Sequence, residues 1–138
     1  MKDPVLATIT RLQADASIVA LVGDRIYSDE LPLSPAYPAI TVNLISDIND
    51  DNTHNSTAAH ARIQCTSWAA GVGSGVARDL SQLIKKSLHR LTNTVLPSGT
   101  DPVPVISIFD AGSHPDVNPD VNPKIWMEHR DFVMNYKN

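Results

Sequence analysis

The stretch from Ala61 to Leu91 constrains this chain most. Arg62-Ile63-Gln64-Cys65-Thr66-Ser67-Trp68 alternates with the two-residue period of a half-buried strand. Gly71-Val72-Gly73-Ser74-Gly75 then punctuates the chain, after which Val76, Leu80, Leu83, Ile84, Leu88 and Leu91 recur at helical spacing. A strand that turns into an amphipathic helix must bury both apolar faces in a shared layer. The same order is where a phosphate-binding glycine loop would sit, so the turn poses the first functional question. It fails as a dinucleotide fingerprint, because the third glycine stands at 75 and position 76 is Val76, and the Gly-Lys-Ser/Thr of a P-loop is absent. The expectation is a flexible connection into a helix from about Ser74 to Leu91 that covers one side of a sheet. A small nucleotide-binding enzyme using residues 71–75 is the alternative.

The remaining elements follow from caps, periodicity and breakers. Asp3 before Pro4 starts a helix carrying Val5, Leu6, Ile9 and Leu12, and Asp15 and Gly23 bracket a second from Ser17 to Val22. Arg25 to Ser28 reads as a short edge strand, and the prolines at 32, 35 and 38 make the next segment an extended linker. Ala39 to Ser46 alternates as a strand, Asp47 to Thr57 as a polar hairpin connection, and Ala58 to Trp68 as its antiparallel partner. Later strands are expected over Val105 to Phe109 and Lys124 to Tyr136. Between them Asp116-Val117-Asn118-Pro119 is repeated as Asp120-Val121-Asn122-Pro123, which reads as an exposed loop. The fold expected is α+β: one domain over 1–138, with a mainly antiparallel sheet of about four strands packed with an N-terminal helix and one long central helix. Flexible loops are expected at about 47–58 and 110–124.

Composition excludes several classes of function. A formal net charge of −4 opposes a protein that wraps nucleic acid by neutralising phosphates. The one basic cluster, Arg78, Lys85, Lys86 and Arg90, reads as a solvated helix face that complements the helix dipole. A single cysteine, Cys65, rules out an intrachain disulfide and a cysteine-rich zinc site, and its place in a strand reads as a small buried hydrophobe. No stretch reaches the roughly 18 apolar residues of a membrane span, and the N-terminus lacks the apolar run of a signal peptide, so a reducing, non-membrane compartment is expected.

Three further groups resemble chemical sites. Asp47-Ile48-Asn49-Asp50-Asp51-Asn52 opens like a calcium loop but has Asn52 where glycine is needed and Ala58 where a bidentate glutamate is needed. His54, His60, His89, His114 and His129 include no pair at zinc-helix spacing, and Ser113-His114-Pro115-Asp116 lacks a nucleophile elbow. No catalytic, cofactor or metal site is expected. The last strand places Trp126, Glu128, Arg130, Phe132, Met134 and Tyr136 on one parity and mixes polar with apolar groups on both faces, which suits either a central strand or a face that meets another subunit.

The order of these motifs resembles the tail completion family of long-tailed bacteriophages, also called tail terminator or tail-to-head joining proteins. The matching residues are Leu21-Val22-Gly23-Asp24-Arg25-Ile26-Tyr27, Tyr37-Pro38-Ala39-Ile40, Arg62 to Trp68, the helix through Ala77-Arg78-Asp79-Leu80 to Leu88, and Arg130-Asp131-Phe132. The resemblance implies a structural virion protein without catalytic residues, located in the tail or neck and in the host cytoplasm during assembly. It implies a hexameric ring that caps the tail tube and joins it to a head-completion or connector protein, with DNA passing through unread. A monomeric neck or tail adaptor is the other structural alternative. The candidate assembly interface comprises Asp47, Asn49, Asp51, His54, Asp116, Asp120, Trp126 and Arg130, on the two polar loops and the last strand. Both loops are expected to become ordered against neighbours.

Overall fold

A computed structural model describes residues 2–49, 58–71, 73–99 and 101–137, with the side chain of Asn49 left aside. Among them, α1 (Pro4–Gln13) and α2 (Ala16–Val22) come first, followed by β1 (Ile26–Ser28), β2 (Ala39–Asn49) and β3 (Ala58–Ala70). Then come α3 (Gly75–Leu88), β4 (Thr92–Leu96), β5 (Val103–Asn118) and β6 (Ile125–Lys137). The strands form one sheet in the order β1-β2-β3-β6-β5-β4, in which β1 runs parallel to β2 and the other pairings are antiparallel.

The expected sheet of about four strands with one long central helix is therefore wrong. The sheet has six strands, is mixed, and forms a half-barrel, while the three helices are short. β4 escaped, and the strand expected over Val105 to Phe109 was cut short, because the missed sequences lack apolar alternation. β4 lies in a segment rich in breakers, and β5 runs to Asn118 through a polar stretch that read as the loop 110–124. The helix predicted to reach Leu91 stops at Leu88, since His89 already has extended backbone, with φ −64° and ψ 130°.

Local chemistry explains the elements that were found. The Asp3 carboxylate accepts the Val5 and Leu6 amides at 3.0 Å, and that of Asp15 accepts the Ser17 and Ile18 amides at 3.0 and 3.4 Å, so α1 and α2 each begin at a side chain that satisfies free amides. The helices bury Val5, Leu12, Ile18, Leu80 and Ile84 in one core with Ile40, Val42, Ile63, Phe132 and Met134 of the sheet. The expected β2–β3 antiparallel pair forms over Ala39↔Trp68 to Asn49↔Ala59, with a register shift between Leu44 and Ser46.

The opposite face of the sheet is tied by polar ladders. Trp68 Nε1 donates to Thr41 Oγ1 at 2.9 Å, Gln64 Nε2 and Arg62 Nη2 donate to the Asp131 carboxylate at 3.1 and 2.9 Å, and Asn135 Nδ2 donates to Ser107 Oγ at 2.8 Å. These cross-strand pairs account for the mixed faces of β6. Phe132, Met134 and Tyr136 point into the core, and Asp131 and Asn135 join the outer ladder.

Candidate assembly surfaces

The turn that first suggested a nucleotide site is a structural connection. Gly71 and Gly73 have φ of 128° and 84°, which favours residues without a Cβ, and the Gly71 amide donates to Lys124 O at 3.0 Å. On the other side Trp126 Nε1 donates to Gly71 O at 3.0 Å, so the turn is fastened to the start of β6. No group of three or more His, Cys, Asp or Glu able to hold a metal occurs among the described residues. Cys65 is fully buried, and that burial, followed by the charge of Asp131, pushes its thiol up to about 12, which suits a packing residue.

The eight predicted interface residues fall in different places. Asp51 and His54 lie outside the described residues. Asn49 ends β2 opposite Ala59, and Asp47 belongs to the same strand, where its exposed carboxylate accepts the Tyr136 hydroxyl at 2.9 and 3.0 Å. Burial first, then the hydrogen bond to Asp47 and its charge, raise the Tyr136 phenol above its ordinary value.

Asp116, Asp120 and Trp126 are brought together around the turn between β5 and β6. Asp116 accepts the Val117 amide at 2.8 Å and lies 3.7 Å from His129 Nε2, and the Asp120 amide donates to Asn118 Oδ1 at 3.2 Å. Every residue from Ala111 to Lys124 is exposed, although the segment up to Asn118 is paired strand. Trp126 is half-buried between two grooves. One, of about 440 Å³, is lined by Ser74, Pro115, Asp116, Val117 and Trp126, and the other, of about 320 Å³, borders Gly71, Gly73 and Lys124.

Arg130 does not belong with them. It is 4% exposed, and its guanidinium donates from Nε to Ser81 Oγ at 2.9 Å, from Nη1 to Asp110 Oδ2 at 2.7 Å and from Nη2 to Ser113 Oγ at 3.3 Å. Lys85 Nζ reaches the same Asp110 oxygen at 3.6 Å, so the cluster clamps α3 to β5 and β6 from within. Sequence reasoning missed Asp110 and Ser113 as its partners because they lay in the presumed loop. It also missed Leu33, which is 99% exposed in the proline-rich linker between β1 and β2.

The family model described as tail completion protein gp17 matches residues 7–111. The chain belongs to this family. Tail completion proteins are structural components of the phage tail. Among solved structures, 27 chains match. One, from "Virion of native gene transfer agent (GTA) particle", aligns with a TM-score of 0.73 at 16% identity over 98% of this tail completion protein and 95% of its own length. That likeness establishes the shared fold. No curated protein matches it in sequence.

Proposed function

We propose that this tail completion protein forms a ring, with a hexamer as the expected stoichiometry, that caps the tail tube, joins it to the head connector and leaves an axial path for DNA. The family match over residues 7–111 carries the reading, and the fold likeness to a virion component supports it. The architecture is also suited to a ring wall. Helices cover one face of the sheet, the other face is polar and open, and the two flanks of the sheet differ from one another, as head-to-tail contacts require. A net charge of −4 fits a passage that must not retain DNA.

The test is electron microscopy of purified tails with and without the protein. A closed ring of six copies at the head-proximal end of the tube is expected, together with restored joining to heads. Single copies bound without closure would overturn the ring and favour a monomeric adaptor.

A further inference from the structure

β5 runs well past the strand that covers it. β4 pairs with β5 only from Val103 to Ser107, and residues 90–91 extend that cover by one step, where the Ile108 amide donates to Leu91 O at 2.9 Å and the Arg90 amide donates to Ile108 O at 2.8 Å. From Phe109 to Asn118, β5 pairs with β6 on one side and no strand lies on the other among the described residues. An edge of this kind is a template on which a strand of another molecule can add, because its outward backbone groups lack partners. Here it is also open to solvent, since every residue from Ala111 to Asn118 is exposed.

The amides along this edge are nonetheless accounted for. In an antiparallel strand every second residue turns its backbone groups to the same edge, so the Ile108 amide, which donates to Leu91 O, sets the parity. Asp110 comes next in that series, and its amide donates to His89 Nδ1 at 3.0 Å. Within the bulge that follows, the Gly112 amide donates to Asp110 Oδ1 at 3.1 Å, and the other oxygen of that carboxylate is held by Arg130 Nη1 at 2.7 Å. The register shift between Asp110 and Ser113 then moves the outward series to Ser113, Pro115 and Val117. Pro115 has no amide to offer. The Val117 amide donates to Asp116 Oδ1 at 2.8 Å. Ser113 alone in this series lacks such a device among the described residues.

A ring nitrogen, a proline and two carboxylates thus strip donors from one edge by three different chemical means. None of these exposed positions is needed to fill the core, so packing does not explain the pattern. We infer that the β5 edge is built to refuse strand addition, and that the partner it refuses is the β5 edge of a second copy laid antiparallel about a two-fold axis. Residues 113–117 of two free subunits would otherwise pair with one another, and such an isologous contact closes on itself as a dimer that occupies the edge of both. The device acts on the free subunit, whether or not the subunits later close a ring. Asp116 is 59% exposed at its side chain, so its charge is a competing cause of repulsion that the test must separate from its hydrogen bond.

Two substitutions in the full-length protein lift the guard. Asp116→Ala frees the Val117 amide, and Pro115→Ala adds an amide at 115. Sedimentation over a concentration series compares the double variant with the unaltered protein, and hydrogen exchange with mass spectrometry follows residues 113–117. The double variant should self-associate at a concentration about tenfold lower or less, with protection appearing over 113–117 as it does so. Asp116→Asn keeps a side-chain carbonyl to accept the Val117 amide and removes the charge, and it should associate no more readily than the unaltered protein. A folded double variant with unchanged concentration dependence overturns the inference. Association that leaves 113–117 unprotected also overturns it, as does an Asp116→Asn protein that associates like Asp116→Ala, which would assign the effect to charge. Thermal unfolding establishes that each variant is folded, and Pro115→Ala alone carries the same comparison if the double variant is not.

Discussion

Arg130 shows how a residue that reads as surface charge becomes internal structure. Four polar groups from α3 and β5 converge on or beside its guanidinium, and its side chain is 5% exposed against 12% for that of Asp110. Removing the cation leaves the Asp110 carboxylate with the Gly112 amide at 3.1 Å and, as its remaining cation, the more distant Lys85, and it strands the Ser81 hydroxyl. Arg130→Ala should therefore cost about 3–5 kcal/mol in urea unfolding, the range for breaking a buried pair from one side. Cys65 gives a pH signature at the same scale. Its thiol is held up to about 12 in the fold, while the unfolded chain ionises from about 8.5. The folded state thus keeps a proton that the unfolded state gives up, and the stability this contributes is complete below that lower value and is lost as pH rises towards the upper one. Stability should fall with alkaline pH, and a Cys65→Ala protein should fall with a shallower slope in denaturant titrations at stepped pH. Tyr136 adds to the decline in both proteins, since its raised phenol acts with the same sign.

At the scale of elements, what the sequence made legible and what it hid divide along burial. α1, α2, β2 and β3 were readable because one face of each is buried and the period shows, and their caps are side chains that name the boundary. The outer half of β5 was not readable. Ser113-His114-Pro115-Asp116-Val117-Asn118 is exposed on both faces, so pairing with β6, a contact between residues distant in sequence, decides its conformation. The same cause scattered the candidate interface. Asp116, Asp120 and Trp126 lie together at the β5–β6 turn, whereas Arg130 is buried among partners that belong to the part of β5 the sequence did not reveal. Two predictions belong here. Asp3→Ala should remove the cap of α1 and cost about 1 kcal/mol in thermal or urea unfolding. Gly73→Val should cost about 1–2 kcal/mol because its φ of 84° is left-handed, and no nucleotide should protect either protein in a thermal shift experiment.

For the whole molecule, the uneven distribution of charge matters more than its sum. The exposed charge of α3 and of the β5–β6 turn is of both signs, with Arg78, Lys86 and Lys124 beside Asp79, Asp116 and Asp120, whereas the β1 side exposes Asp24, Asp29 and Glu30. Exposed charges interact within a Debye length of about 8–10 Å at physiological ionic strength, and across an interface between copies they mainly steer encounter and register and add little affinity. Raising the salt from about 0.05 to 0.5 M should therefore alter the rate of ring assembly on tails several-fold while changing the dissociation rate little, and time-resolved light scattering with purified tails measures both. A dissociation rate that moves as much as the assembly rate would show that charge holds the ring and does not merely steer it.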